Sequence, residues 1–200
     1  MKRIIITTIF FILIIAFFIF FKKTDYKFIN NGNNISSQSA EENILNMNSY
    51  QAQIEVTVKS NKNTNIYLMN QEYKGPNECF QEVIEPQNIA GVKINYKEGR
   101  LLIENTKLNL QTIYENYPYI ATNNLFLTSF VEEYKKSQNT KKKTEGEEII
   151  LEINSNEKNK YKINKKLYIN SKTGKPIKLE VQDTTQNTSV YILYNEIEIN

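Results

Sequence analysis

The sequence feature that most constrains this chain is an apolar run over residues 4–21, IIITTIFFILIIAFFIFF, which contains no charged residue. As a helix with a rise of about 1.5 Å per residue, it would extend roughly 27 Å, close to the hydrocarbon thickness of a bilayer. A cleavable signal peptide has a shorter apolar stretch, about 7 to 15 residues, followed by small residues, whereas this run ends in FFKK. We therefore expect an uncleaved membrane anchor, with a signal peptide as the alternative. The anchor residues are Ile4, Phe10, Leu13, Phe17 and Phe21.

A polar segment without periodicity follows the run and predicts a linker over residues 24–38. Three parts are therefore expected: an anchor or signal segment (1–23), the linker, and a single domain (39–200). Basic residues lie on both sides of the run, so the positive-inside rule is nearly balanced, but long domains cross a membrane largely regardless of such charges. We expect the domain to lie outside the cytoplasm, at the cell membrane.

Missing residue types exclude several classes of site. The chain has no His and no Trp, and Cys79 is its only cysteine, so His-based triads, His-ligated zinc and an intramolecular disulfide are impossible. Cys79 lacks an activating partner, and we expect a small buried side chain there. The acid pairs Glu132-Glu133 and Glu147-Glu148 are expected on the wet side of a helix and in a loop. We predict no enzyme activity, no catalytic residue, no cofactor and no metal.

The charge of the domain is balanced. Without the four basic residues beside the apolar run, 21 basic residues remain against 22 acidic ones. The densest basic cluster, within residues 135–143, is followed at once by three glutamates, so we interpret it as a solvated loop. No nucleic-acid partner is expected, because nucleic-acid-binding domains carry a clustered basic face.

The rest of the chain predicts a mainly β domain of the α+β class. Residues 50–60 alternate between apolar and polar side chains, which is typical of a strand with one wet face. A short helix is predicted from Ser39, and residues 123–137 show the helical spacing of a covering helix. Many strands with few helices imply an antiparallel sheet whose concave face the helices cover. Further strands are predicted at 65–74, 79–84, 92–96, 101–104, 149–154, 160–170, 177–183 and 189–200.

The aromatic residues suggest a binding surface. All thirteen Tyr lie after residue 23, whereas six of the ten Phe lie in the apolar run. Tyr suits half-buried and binding positions, where an apolar ring meets a wet edge. The densest group is Tyr114, Tyr117 and Tyr119 in IYENYPYI, which we interpret either as a loop folded over the mouth of the sheet or as a contact with a partner.

The end of the chain resembles LolA-type domains. In that superfamily a Thr-Gly-x-Pro turn joins two strands and a last strand closes in I-x-I-N; the matching residues here are Thr173, Gly174, Pro176, Ile197, Ile199 and Asn200. With the segments IYENYPYI and NNLFLTSFVEEY, the chain is most similar to GerS-like germination proteins of endospore-forming anaerobes, over roughly residues 39–200.

This resemblance implies a half-open, strongly curved antiparallel sheet closed by short helices, and a protein that binds a spore-cortex amidase needed for germination. It also implies the alternative of a carrier or chaperone for a lipid or lipoprotein, because lipid carriers hold acyl chains on the concave face. Family members are typically lipoproteins; here the apolar run would tether the domain to the cell membrane or to spore envelope membranes. An apolar cavity wide enough for an acyl chain would favour the carrier function. A filled concave face with exposed Tyr on one flank would favour binding of a protein partner.

Overall fold

The computed structural model describes residues 37–60, 62–118, 123–154, 164–183 and 187–200. These residues form helix α1 (Ser37–Leu45), helix α2 (Leu127–Lys136) and eleven strands. The strands are β1 (Tyr50–Lys59), β2 (Thr64–Tyr73), β3 (Glu78–Glu85), β4 (Val92–Lys97), β5 (Arg100–Asn105), β6 (Leu110–Tyr114), β7 (Thr140–Glu145), β8 (Glu148–Ile153), β9 (Asn164–Asn170), β10 (Pro176–Gln182) and β11 (Thr188–Ile199).

All eleven strands belong to one open antiparallel sheet, in the order β6-β5-β4-β3-β2-β1-β11-β10-β9-β8-β7. Strands β1 to β6 form one meander and β7 to β11 another, and the two meanders join where β1 pairs with β11. The register of that central pair shifts between Gln53 and Ile54, and β2–β3 shifts between Leu68 and Met69. Such bulges bend a strand and increase its twist, as a curved sheet requires. The prediction of a mainly β, antiparallel α+β fold is confirmed.

The core lies between one face of the sheet and the two helices. Strand β1 buries every second residue, from Tyr50 to Val56, as its alternating sequence predicts. Helix α1 contributes Ala40 and Ile44 to the same cluster, and α2 contributes Phe130. One sheet face is therefore apolar and covered, which explains why a chain with so few large apolar residues outside residues 4–21 still forms a core.

Two ion pairs fasten the helices to the sheet. Glu41 of α1 pairs with Lys142 of β7, and Glu133 of α2 pairs with Lys165 of β9, whose side chain is buried. Glu132 is exposed and the Glu133 side chain is partly exposed, so both acids lie on the wet side of α2 as predicted, and Glu133 also reaches Lys165. A carboxylate is needed at 133 because a buried ammonium without a counterion costs several kcal/mol.

The interpretation of the basic cluster as a loop is also wrong. Lys135 and Lys136 form the last turn of α2, where cations favour the helix dipole. Lys141, Lys142 and Lys143 lie in β7, which pairs with β8 along its whole length. All five lysines are exposed. Lys141, Lys142 and Lys143 belong to an edge strand, and the residues of that strand carry no alternating pattern that predicts its pairing with β8.

The predicted membrane anchor, Ile4, Phe10, Leu13, Phe17 and Phe21, lies outside the described residues. Neither helix of the described ranges has the length and apolarity needed to cross a membrane.

Candidate partner-binding surface

The turn before β6 fixes that strand in register with β5. The Leu108 N–H donates to Asn105 Oδ1 at 3.1 Å, and Thr106 Oγ1 donates to the Gly91 carbonyl at 3.2 Å. Gly91 has a φ of +86°, and a Cβ there would lie 2.9 Å from Thr106 Oγ1, so a side chain is excluded on both grounds. Strand β6 is thus positioned by a turn that is itself bonded to the segment before β4.

An exposed apolar surface follows this turn. Its four large side chains, which we call the β6 patch, belong to β6 and the residues just before it. They are Leu108 (65% exposed), Leu110 (62%), Ile113 (40%) and Tyr114 (48%). Large exposed apolar side chains that are grouped on one strand and the turn before it mark a candidate site of interaction. In the described part of the chain, one other large hydrophobic residue, Ile66 on β2, is exposed to a similar degree.

The tyrosines that the sequence singled out differ in their surroundings. The rings of Tyr114 and Tyr117 lie 6.2 Å apart between centroids, tilted by 52°. Tyr114 belongs to β6 and is exposed, whereas Tyr117 is half-buried and packs against the core. The Tyr117 N–H donates to the Gly99 carbonyl at 2.7 Å. Tyr119 lies outside the described residues. The structure thus brings Tyr114 and Tyr117 together, but Tyr117 is a packing residue as well as a surface one.

Charged groups near the β6 patch are engaged with neighbours. Arg100 Nε lies 3.2 Å from Glu115 Oε1, and Lys107 Nζ donates to the Gln87 carbonyl at 3.0 Å. Strand β6 itself, LQTIY, has no charged residue. The surface is therefore apolar and neutral along the strand, with an ion pair beside its C-terminal end.

A buried hydrogen-bond network lies on the covered face and sets the start of α2. The Tyr50 hydroxyl donates to Gln71 Oε1 at 3.1 Å and accepts from the Leu127 N–H at 3.1 Å. Gln71 Nε2 donates to the Leu125 carbonyl at 3.0 Å. The first turn of a helix has free N–H groups, and here a tyrosine hydroxyl satisfies one of them in place of a capping side chain. Burial, then the nearby Tyr194, raise the pKa of Tyr50.

A second glutamine on this face has no hydrogen-bond partner within the described part of the chain. Gln81 lies directly opposite Gln71 across the β2–β3 pair and is 1% exposed, yet neither its amide nitrogen nor its amide oxygen forms a hydrogen bond. The hydroxyl of Tyr194 is likewise buried and unpaired. Neither glutamine was predicted as buried from the sequence, although Gln71 shares the inward-facing parity of Met69 on β2 and Gln81 that of Cys79 on β3.

Two kinds of reactive site, a reactive thiol and a metal site, are absent from the described residues. Cys79 is buried, as predicted, and burial raises the pKa of its thiol from 9.0 to about 12, so the thiolate is absent at neutral pH. No group of three or more His, Cys, Asp or Glu side chains within the described ranges is arranged to hold a metal ion.

Two surface grooves have mixed polar and apolar walls. One, of about 510 Å³, lies between α1 and the turn after β9, with Asn43, Asn46 and Lys175 in its lining. The other, of about 330 Å³, includes Glu78 and Lys97, which form an ion pair at 3.3 Å. Apolar side chains also contribute to both linings, with Met47 and Ile199 in the first groove and Phe80 and Tyr96 in the second.

The whole length of the chain matches one protein family. A sequence model of the family described as sporulation protein YdcC-like covers residues 1–200. The chain belongs to this family. No match was found among curated proteins.

This YdcC-like chain is similar to GerS in the structure of the CwlD amidase from Clostridioides difficile in complex with the GerS lipoprotein, at 28% identity and a TM-score of 0.53, covering 82% of this chain and 93% of that one. The Pseudomonas aeruginosa MucA/MucB complex matches at 8% identity and a TM-score of 0.51, covering 82% of this chain and 57% of that chain. The LolA superfamily protein NE2245 from Nitrosomonas europaea matches at 12% identity and 0.41, covering 83% and 94%. The resemblance to GerS-like proteins is confirmed.

Proposed function

We propose that this chain is a non-catalytic envelope protein of sporulating cells that binds a spore-cortex amidase of the CwlD type and is thereby required for germination. The observation that carries the proposal is the similarity to GerS over 93% of the GerS chain, in a structure where GerS is bound to CwlD. Membership of a sporulation family supports the same cellular setting.

The chemistry of the described residues supports a binding role. Their only cysteine is buried with a raised pKa, and the acid Glu133 is engaged with Lys165. A protein without reactive groups acts through surface complementarity, where a rigid exposed tyrosine is a common energetic anchor. We propose the β6 patch as the partner surface, with Tyr114 as its central contact, flanked by Tyr117 and Tyr119.

We further propose that residues 4–21 attach the protein to the membrane and that the domain lies on the extracytoplasmic side. The run is long enough to span a bilayer, and no cleavage motif follows it. In this respect the chain would replace the lipid anchor of a lipoprotein such as GerS with a peptide anchor.

The alternative is a carrier or chaperone of a lipid or lipoprotein. Half-buried Val92, Ile94 and Ile103 on the covered face near the β6 edge favour it, because they pack against the core without being fully enclosed. The exposure of Tyr114 on the flank of the sheet favours the protein-binding function instead, because it is the feature expected of a protein-binding member.

The test is co-elution of the full-length chain, purified in detergent, with the CwlD-type amidase of the same organism on size-exclusion chromatography. We expect one complex, and replacement of Tyr114 with Ala should weaken it by about 2 kcal/mol while leaving the thermal midpoint nearly unchanged. Replacement of Tyr117 with Ala is the contrasting variant: its ring is half-buried, so the thermal midpoint should fall. Separate elution at every concentration would contradict the function, and copurifying acyl lipid in stoichiometric amount would favour the carrier.

The N-terminal sequence of the same purified protein, taken from the membrane fraction, tests the anchor. It should retain residues 1–21. A first residue between positions 22 and 40 would show that the apolar run is a signal segment.

A further inference from the structure

The two edges of the sheet are built differently. The outer strand β7 carries three consecutive exposed lysines, Lys141 to Lys143, and Lys143 pairs with Glu145 and Glu152 at 3.1 and 3.2 Å. Natural β-sheets use such lysines to prevent another strand from pairing with the edge. The outer strand β6 has neither a charged residue nor a proline. One edge is protected against strand addition and the other is not.

The backbone of strand β6 is ordered at both ends, so that a further strand could pair with it. Asn109 before it and Asn116 after it both adopt left-handed backbone conformations, with φ of 51° and 53°, which end the strand sharply on either side. Hydrogen bonds of the flanking turns, including Tyr117 N–H to the Gly99 carbonyl, fix both ends. An edge that is already ordered costs little further entropy when a partner pairs with it.

The side chains of β6 indicate what kind of segment fits. Leu110 and Tyr114 lie on the same sheet face as Leu101, because directly paired residues of antiparallel strands share a face. Ile113 lies on the opposite face. Apolar side chains are therefore exposed on both faces of a neutral strand, and a complementary segment would be extended, uncharged, and apolar on both sides.

We propose that β6 accepts an extended, uncharged segment of the amidase, which adds to the eleven-stranded sheet as a further antiparallel or parallel strand. The proposal rests on the amidase-binding function. In the described residues β6 has a strand neighbour on one side only, β5, so alternate peptide groups on its other side are available for pairing. The β6 patch would supply side-chain contacts around this backbone pairing.

Hydrogen exchange of the full-length chain, with and without the CwlD-type amidase, tests the inference directly. Peptides covering residues 110–114 should exchange fast in the free chain and at least about tenfold more slowly in the complex, since outward N–H groups become hydrogen-bonded. Peptides covering β7 should not change. A complex that leaves exchange in β6 unaltered would overturn strand addition while the binding function stands, whereas absence of any complex would overturn both.

A matched pair of substitutions tests whether binding depends on the β6 edge and not on the β7 edge. Thr112→Lys places a lysine in the middle of β6, and Thr144→Lys adds one to β7; both threonines are exposed and both pair with an isoleucine of the neighbouring strand. Thr112→Lys should raise the dissociation constant by about tenfold or more, and Thr144→Lys by less than about twofold. Equal effects would contradict the inference.

Exchange in the free chain also decides between occupants. If the amides of β6 are already protected and protection rises with protein concentration, a second copy of this chain occupies the edge. If protection is independent of concentration, another segment of the same chain covers it. Either outcome would overturn strand addition by the amidase.

Discussion

At the scale of single residues, two facing glutamines provide the sharpest contrast in the core. Gln71 bonds the Tyr50 hydroxyl and the Leu125 carbonyl, whereas the buried amide of Gln81, directly opposite, bonds nothing. A buried polar group without a partner costs about 1 to 3 kcal/mol, while a paired one contributes modestly. Both residues are buried glutamines on neighbouring strands, so they differ in whether their amide groups form hydrogen bonds.

This contrast predicts opposite effects of one substitution. Gln81→Met should raise the free energy of unfolding by about 1 kcal/mol, because Met has nearly the same shape and removes two unpaired polar atoms. Gln71→Met should lower it by about 1 to 3 kcal/mol, because the Leu125 carbonyl loses its donor. Urea unfolding of both variants measures the change. A loss of stability in both would show that Gln81 has a partner in solution.

At this scale the sequence predicted chemistry better than contacts. The burial of Cys79 followed from a lone thiol in an alternating strand, and the proximity of Tyr114 and Tyr117 followed from their closeness in the chain. The partners of Gln71 were not predictable, because they come from residues 21 and 54 positions away along the chain. The alternation of the strands predicts that Gln71 and Gln81 both point inward. No local sequence signal, however, distinguishes a glutamine that forms hydrogen bonds from one that does not.

At the scale of elements, α2 is fixed to the sheet by one ion pair on one side of its polar face. Glu133 reaches the buried ammonium of Lys165 on β9, while the adjacent Glu132 forms an exposed pair with Lys136 at 3.1 Å. Exposed pairs contribute between zero and about 1 kcal/mol, whereas loss of the partner of a buried charge is costly.

Neutralising these adjacent acids should therefore give unequal results. Glu133→Gln should lower the free energy of unfolding by about 2 to 3 kcal/mol, somewhat less than for a fully buried pair because Glu133 itself is partly exposed. Glu132→Gln should change it by less than about 0.5 kcal/mol. Thermal and urea unfolding of the two variants check this. Equal losses would contradict the role of Lys165 as a buried charge that needs its counterion.

The elements that the sequence missed are the two sheet edges. Most interior strands were predicted within a few residues, because a strand with one covered face alternates apolar and polar side chains. In β7, TKKKTE, no such alternation exists, and its pairing with β8 supplies the structure instead. In β6, LQTIY, every residue is exposed, so burial leaves no period in the sequence.

At the scale of the whole molecule, the sheet has two unlike edges. One face of the sheet packs against the helices, and the described strands present an uncharged strand at one edge and a lysine-rich strand at the other. The family is a sporulation family, and the similar GerS chain is bound to an amidase. Because β6 has no charged residue whereas β7 carries three lysines, we propose that the amidase binds at the β6 edge.

The dissociation constant of the full-length chain and the CwlD-type amidase of the same organism, measured by isothermal titration in detergent, tests the central claim most directly. We expect a value of about 1 μM or tighter, corresponding to roughly −8 kcal/mol, because the interface is ordered before binding and the exposed Tyr114 becomes buried in it. Absence of binding at about 100 μM, with both proteins folded, would contradict the claim.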